Sequence, residues 1–147
     1  MATISREVHL IEYPEGLPDA SQFQIVETTV DDPATGEFLI QNQYMSVDPA
    51  MRPRLSNGQQ RLHQAMGAGT IGVVTASRHS AFAEGDVVQH GLGFREHVLS
   101  DGRGVNHLDA AGLSPTLYMH VLGPTGFTAW GGMLITCLLY TSPSPRD

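Results

Sequence analysis

Cysteine is almost missing from this 147-residue chain, with Cys137 as the single example. One thiol excludes an internal disulfide framework and any zinc site built from several cysteines. Basic residues are scarce too: 8 Lys and Arg stand against 15 Asp and Glu, a formal charge of -7. That balance argues against a nucleic-acid partner, which calls for a basic face. No apolar run is long enough to span a bilayer, and Met1–Glu7 contain no apolar signal segment. Together these absences point to a cytoplasmic protein with neither nucleic acid nor membrane as partner. Seven histidines are present, but none stand at H-x-x-x-H or H-x-x-E-H spacing, so no metal is expected. The length is that of one ordinary domain, and 41% hydrophobic residues suffice for a core.

The hydrophobic pattern is that of strands first and helices last. Val8–Tyr13 reads as a first strand, closed by the turn set Pro14-Glu15-Gly16. Phe23–Val30 alternates as a second strand, and Glu37–Tyr44 forms a third beyond the loop Asp31–Gly36. Gly67-Ala68-Gly69-Thr70-Ile71-Gly72 matches G-x-G-x-x-G letter for letter. That fingerprint needs a strand before it and a helix after it, so that the helix N-terminus meets a pyrophosphate. Here the β-formers Val73-Val74-Thr75 follow, and Met66–Ser77 is read as a glycine-rich strand instead. Val87–His90 and Phe94–Leu99 read as two more strands around the flexible point Gly91-Leu92-Gly93. Short strands at close intervals predict a small barrel or sandwich. From Ser114-Pro115 onward the pattern turns helical, over Thr116–Leu122 and then Thr125–Leu134, where Phe127, Trp130, Met133 and Leu134 keep helical spacing.

The third strand runs out into Tyr44–Leu55, where Pro49 and Pro53 stiffen a polar turn that carries Asp48, Arg52 and Arg54. Asp48 is a good N-cap for a helical turn starting at Pro49, and it can pair with Arg52 at i,i+4. Met45-Ser46-Val47-Asp48-Pro49-Ala50-Met51-Arg52 resembles the V-D-P-x-M-R signature of medium-chain reductases that act on activated alkenes. These are the prostaglandin reductases, 2-alkenal reductases and curcumin reductases. Three further stretches agree with that group in order and spacing: Met66–Val74, Phe82–Val88 and Gly123–Trp130. The resemblance covers about residues 5–134 and stops there. Zinc-dependent members of the superfamily hold their metal with a cysteine after an early strand. Ser46-Val47-Asp48 occupies that position here.

The resemblance implies a GroES-like, partly open β-barrel with C-terminal helices, truncated before a Rossmann domain. Residues 1–134 would be the substrate-side catalytic domain of an enzyme whose nucleotide-binding domain is missing. The Ser/Pro-rich stretch 135–147 resembles non-native read-through and is set aside from fold reasoning. The implied chemistry is hydride transfer from NADPH to the C=C bond of an α,β-unsaturated aldehyde or ketone, without zinc. The cofactor would be held mainly by the missing domain, so the chain alone is expected to be inactive. By motif match Pro49, Ala50 and Thr128 would face the cofactor, with Thr128 on the nicotinamide carboxamide. Tyr44 and Met45 would face the substrate, and no catalytic residue is assigned. Plain readings stand beside these: Thr128 bonding its own helix backbone, and Tyr44 and Met45 packing in the core. Ala50 departs from the tyrosine that often follows V-D-P in this group, which leaves pocket shape open. A homodimeric parent enzyme is compatible with the resemblance. Two alternatives remain: a stand-alone β-barrel binding module, and a piece of a quinone reductase of the same superfamily.

Overall fold

The structure, a computed structural model, describes residues 2–109 and 111–135. Cys137 and all but the first residue of the tail set aside above lie outside the described residues. The chain divides into two compact units, residues 1–109 and 110–147, close to the change of pattern at Ser114.

Among the described residues the first unit has seven strands, one short α-helix and a 3-10 turn at Ala20–Gln22. In chain order the strands and the α-helix are β1 (Thr3–Leu10), β2 (Phe23–Val30), β3 (Phe38–Met45), α1 (Met51–Ser56), β4 (Thr70–Ser77), β5 (Val87–His90), β6 (His97–Ser100) and β7 (Asn106–His107). Among the described residues they form two open sheets: the hairpin β1-β2 and an antiparallel five-stranded sheet in the order β6-β3-β4-β5-β7. The barrel expected from the sequence is thus an open one. β1 ties the sheets together. Val8 donates to the Phe94 carbonyl at 2.9 Å, Glu96 donates to Arg6 at 3.0 Å, and Met66 donates to Val8 at 2.9 Å. The fully buried Ser5 hydroxyl exchanges hydrogen bonds with the backbone of His97. β1 starts five residues before the expected Val8, because its whole length pairs with β2, from Thr3 opposite Val30 to Leu10 opposite Phe23. The polar Ser5 is buried and the apolar Ile4 is exposed, which masks the pattern.

Two apolar clusters hold the unit. Phe38, Ile40, Val74, Phe82, Val88, Val98 and Val105 fill the space under the larger sheet, with Phe38 and Phe82 stacked at 4.3 Å between ring centroids. Leu10, Leu55 and Met66 form the second cluster, with Val8, Phe23, Met51, Leu62 and Phe94 packed against it. Leu55 is the buried residue of α1, so the helix is held by this cluster rather than by its own propensity; six residues are too few to be helical alone in water.

The glycine fingerprint is strand and close approach. β4 begins inside it, at Thr70, and no helix opens on it. A Cβ on Gly72 would lie 2.5 Å from Ile40 Cγ2 and 2.7 Å from the Gln41 carbonyl oxygen of β3. Cβ atoms on Gly67 and Gly69 would press on Arg54 Nη2 and Ser46 Oγ, each at 3.1 Å. The motif seats the Ser46–Arg54 turn against the sheet.

In the second unit Pro115–Met119 is a 3-10 turn preceded by Ser114, and α2 spans Pro124–Trp130 with Gly123 as its N-cap. The helix continues as a π-type turn over Gly131–Ile135. Gly126 packs so closely that a Cβ there would lie 1.7 Å from the Val121 carbonyl oxygen.

Candidate functional site

The turn after β3 is rigid and exposed. The Asp48 carboxylate accepts the Ala50 N–H at 2.7 Å, and the Asp48 carbonyl accepts Met51 N–H at 2.9 Å. Asp48 therefore closes an Asx-type turn ahead of the helix; the residue in the N-cap position of α1 is Ala50. Ser46 N–H donates to the Gly69 carbonyl at 2.8 Å and pins the other end. Pro49 and Ala50 are exposed at the tip. Among the described residues no ion pair joins Asp48 to Arg52, because Asp48 is already engaged with backbone.

One cavity borders this turn, and a second adjoins it through shared lining residues. One, of about 370 Å³, lies over the second apolar cluster; Val8, Phe23, Met51, Leu55, Met66 and Phe94 form its apolar surface, with Val47, Asp48 and Arg52 from the turn. The other, of about 290 Å³, is bounded by Val8, Ile25, Met45 and Phe94 together with Arg6, Arg95 and Glu96. They share Val8 and Phe94. Charges at the second cavity are paired. Arg6 is bound to Glu96 through its Nε at 2.9 Å and through Nη2. Glu7 accepts from His9 Nε2 at 2.9 Å and lies 3.5 Å from Arg95 Nη1. Salt-bridging to Arg6 lowers the Glu96 carboxyl from its ordinary range.

The link between β5 and β6 carries Phe94 to this place, and side chains hold the link. Its backbone is locked on both sides: Phe94 N–H donates to Met66 at 2.8 Å and its carbonyl accepts from Val8. Gly93, at φ +81°, lies where a Cβ would meet the Met66 oxygen at 1.7 Å, so only glycine fits. Buried His90 accepts the Leu92 N–H on Nδ1 at 3.1 Å, which leaves the ring proton on Nε2, 3.0 Å from Asn42 Oδ1. Asn42 in turn donates through Nδ2 to the Arg95 carbonyl at 2.8 Å. A β-bulge between Asn42 and Tyr44 aims this side chain. Burial, and then the nearby Arg95 charge, push the His90 imidazole down to about 4.

The residues expected at the site divide between the units. Met45 lines the smaller cavity. Tyr44 is 43% exposed on β3, so core packing does not account for it. Pro49 and Ala50 stand at the tip of the turn bordering the larger cavity. Thr128 is on α2, in the second unit, where its hydroxyl donates to the Pro124 carbonyl at 2.8 Å. Phe94, Val8 and the His90–Asn42 pair were not legible as site residues. The one local signal was the pair of glycines around Leu92.

The described residues thus present an open antiparallel sheet, with a rigid turn bordering an apolar cavity, and a short helical unit. Residues 6–108 match the family described as the N-terminal domain of oxidoreductase, and the chain belongs to that family. Its architecture is that of the GroES-like N-terminal part of the medium-chain dehydrogenases and reductases. It is 32% identical over 130 residues to the NADPH-dependent curcumin reductase of Escherichia coli, covering 85% of this chain and 38% of that protein. It is 33% identical over 129 residues to prostaglandin reductase 1 of Rattus norvegicus, covering 84% and 38%. CurA of Vibrio vulnificus, solved in complex with NADPH, superposes with a TM-score of 0.79 at 32% identity, covering 88% of this chain and 40% of that one. The chain thus spans about two-fifths of the length of these relatives.

Proposed function

We propose that this chain is the substrate-side part of an NADP-dependent reductase that saturates the C=C bond of α,β-unsaturated aldehydes and ketones. The observation that carries the reading is the V-D-P-x-M-R turn, Val47–Arg52, standing rigid beside an apolar cavity. Relatives described as curcumin and prostaglandin reductases support it. In this reading 1–134 is the catalytic domain, 135–147 is non-native, and the nucleotide-binding part is outside the chain. The enzyme is soluble in the cytoplasm, and a dimer is its natural assembly.

The residues present fit NADPH. Pro49 and Ala50 are exposed and carry small side chains that a ring can approach. Thr128 Oγ1 spends its proton on Pro124 and keeps lone pairs that can accept from a carboxamide. When bound, the cofactor supplies the hydride. The chain's own residues orient the substrate: the apolar body lies over Met51, Leu55, Met66 and Phe94, which also exclude water. The donor set supports a zinc-independent reading, since Ser46-Val47-Asp48 offers no thiolate and Asp48 is bound to Ala50 N–H.

A chimera tests this: residues 1–134 joined to the C-terminal part of the Escherichia coli curcumin reductase. NADPH oxidation with an enone, giving the saturated ketone, is the expected result, and the 147-residue chain alone should be inert. Reduction at the carbonyl, or turnover confined to quinones, would replace the proposed activity. Turnover by the chain alone would end the two-part reading.

A further inference from the structure

Phe94 stands between the two cavities, and its position is over-determined. Both of its backbone groups are bound to neighbouring segments, and the residue before it cannot be other than glycine. The His90–Asn42 pair holds the link on either side. Val8, the other shared residue, is tied to Phe94 by backbone. The backbone that carries the Phe94 ring at the boundary shared by the two cavities is therefore fixed. Each cavity alone, about 370 and 290 Å³, lies at or near the lower end of the roughly 300–1,000 Å³ usual for ligand pockets. Joined, they fall near its middle.

We propose that Phe94 sets the length of ligand this site accepts: it closes the far end of the cavity beside Val47–Arg52, and the space beyond it is a latent extension lined by Ile25 and Met45. The inference rests on the proposed placement of the substrate's apolar body in the larger cavity. The ligand class is an uncharged carbonyl compound with an apolar tail. The wall surface is hydrocarbon, and the charges around the extension are paired, Arg6 with Glu96 and Arg95 Nη1 with Glu7, although among the described residues Arg95 Nε is buried without a hydrogen bond. His90 and Asn42 are positioning residues that act through Phe94.

The test is binding of a homologous series of straight-chain 2-alkanones to the purified 147-residue chain, read by calorimetry and by amide shifts of Val8, Met66 and Phe94. Saturated ketones bind without reacting with thiols. For the wild type, each methylene that enters the cavity tightens binding about fourfold, until the gain stops at a cut-off length. Phe94→Ala should move that cut-off to longer chains by several methylenes. Phe94→Leu should move it less, and Phe94→Trp should move it to shorter chains. The Leu and Trp variants keep an apolar filler and guard against a failure of the Ala variant to fold. An unchanged cut-off across the folded variants overturns the wall while leaving the cavity as a ligand site. No binding to the wild type overturns both the wall and the placement of the substrate.

Discussion

At the scale of single residues, His90 shows how burial and hydrogen bonding set a charge state. Its ring accepts from Leu92 on one nitrogen and faces Asn42 with the other, an arrangement only the neutral form satisfies. Its ordinary value is 6.5, and in the fold it is pushed down to about 4. Between those values the unfolded chain binds a proton that the folded chain refuses, so stability falls as the pH is lowered through this window and is unaffected by this group above it. The loss between neutral pH and about 4 should be roughly 3 kcal/mol. Urea denaturation of the wild type and of His90→Gln at a series of pH values measures it. Parallel pH slopes for the two proteins would show that His90 carries no such linkage.

At the scale of elements, the turn after β3 matters more than its helix. α1 is too short to stand by itself, and it gains its place from Leu55 in the second cluster and from the Asp48 turn ahead of it. Asp48→Ala should cost about 1 kcal/mol, the usual worth of such a side-chain to backbone bond. Asp48→Asn should recover most of it, since its amide oxygen accepts the same N–H. Midpoints of chemical denaturation check both. If Asp48→Ala matched the wild type, the turn would be held by Pro49 and packing alone. The glycines of the neighbouring strand work at this scale too. Gly67, Gly69 and Gly72 let the turn and β3 come close to β4.

At the scale of the whole molecule, the second unit exposes apolar surface. Phe127 is 70% exposed, Ile135 64%, Val121 58% and Leu122 51%, and Phe127 and Trp130 lie beside each other with ring centroids 5.8 Å apart. Neighbouring exposed groups of this kind mark surface that a partner covers. The purified chain should therefore self-associate with rising concentration. Phe127→Ser combined with Trp130→Gln should shift it towards monomer in sedimentation experiments. A wild-type chain that stays monomeric at high concentration would favour the stand-alone binding module instead.

Sequence alone determined the strand-rich composition, the organising turn, the change to helix near Ser114 and the family. These are written in local patterns: alternation, paired prolines, and a run of letters that keeps its spacing. It also sufficed to read the glycine fingerprint as strand, because the flanking residues are β-formers. Tertiary structure decided the rest. Phe94 looked like a strand residue, yet β6 begins only at His97, and the link before it is held by a hydrogen bond that Asn42 donates and one that His90 accepts, Asn42 lying 52 positions before Phe94 in the chain. The expected Asp48–Arg52 pair gave way to a bond from Asp48 to backbone, which is nearer and already in place. The two cavities and the wall between them have no signature in sequence. They arise where β1, the turn and the β5–β6 link meet, and only folding brings those segments together.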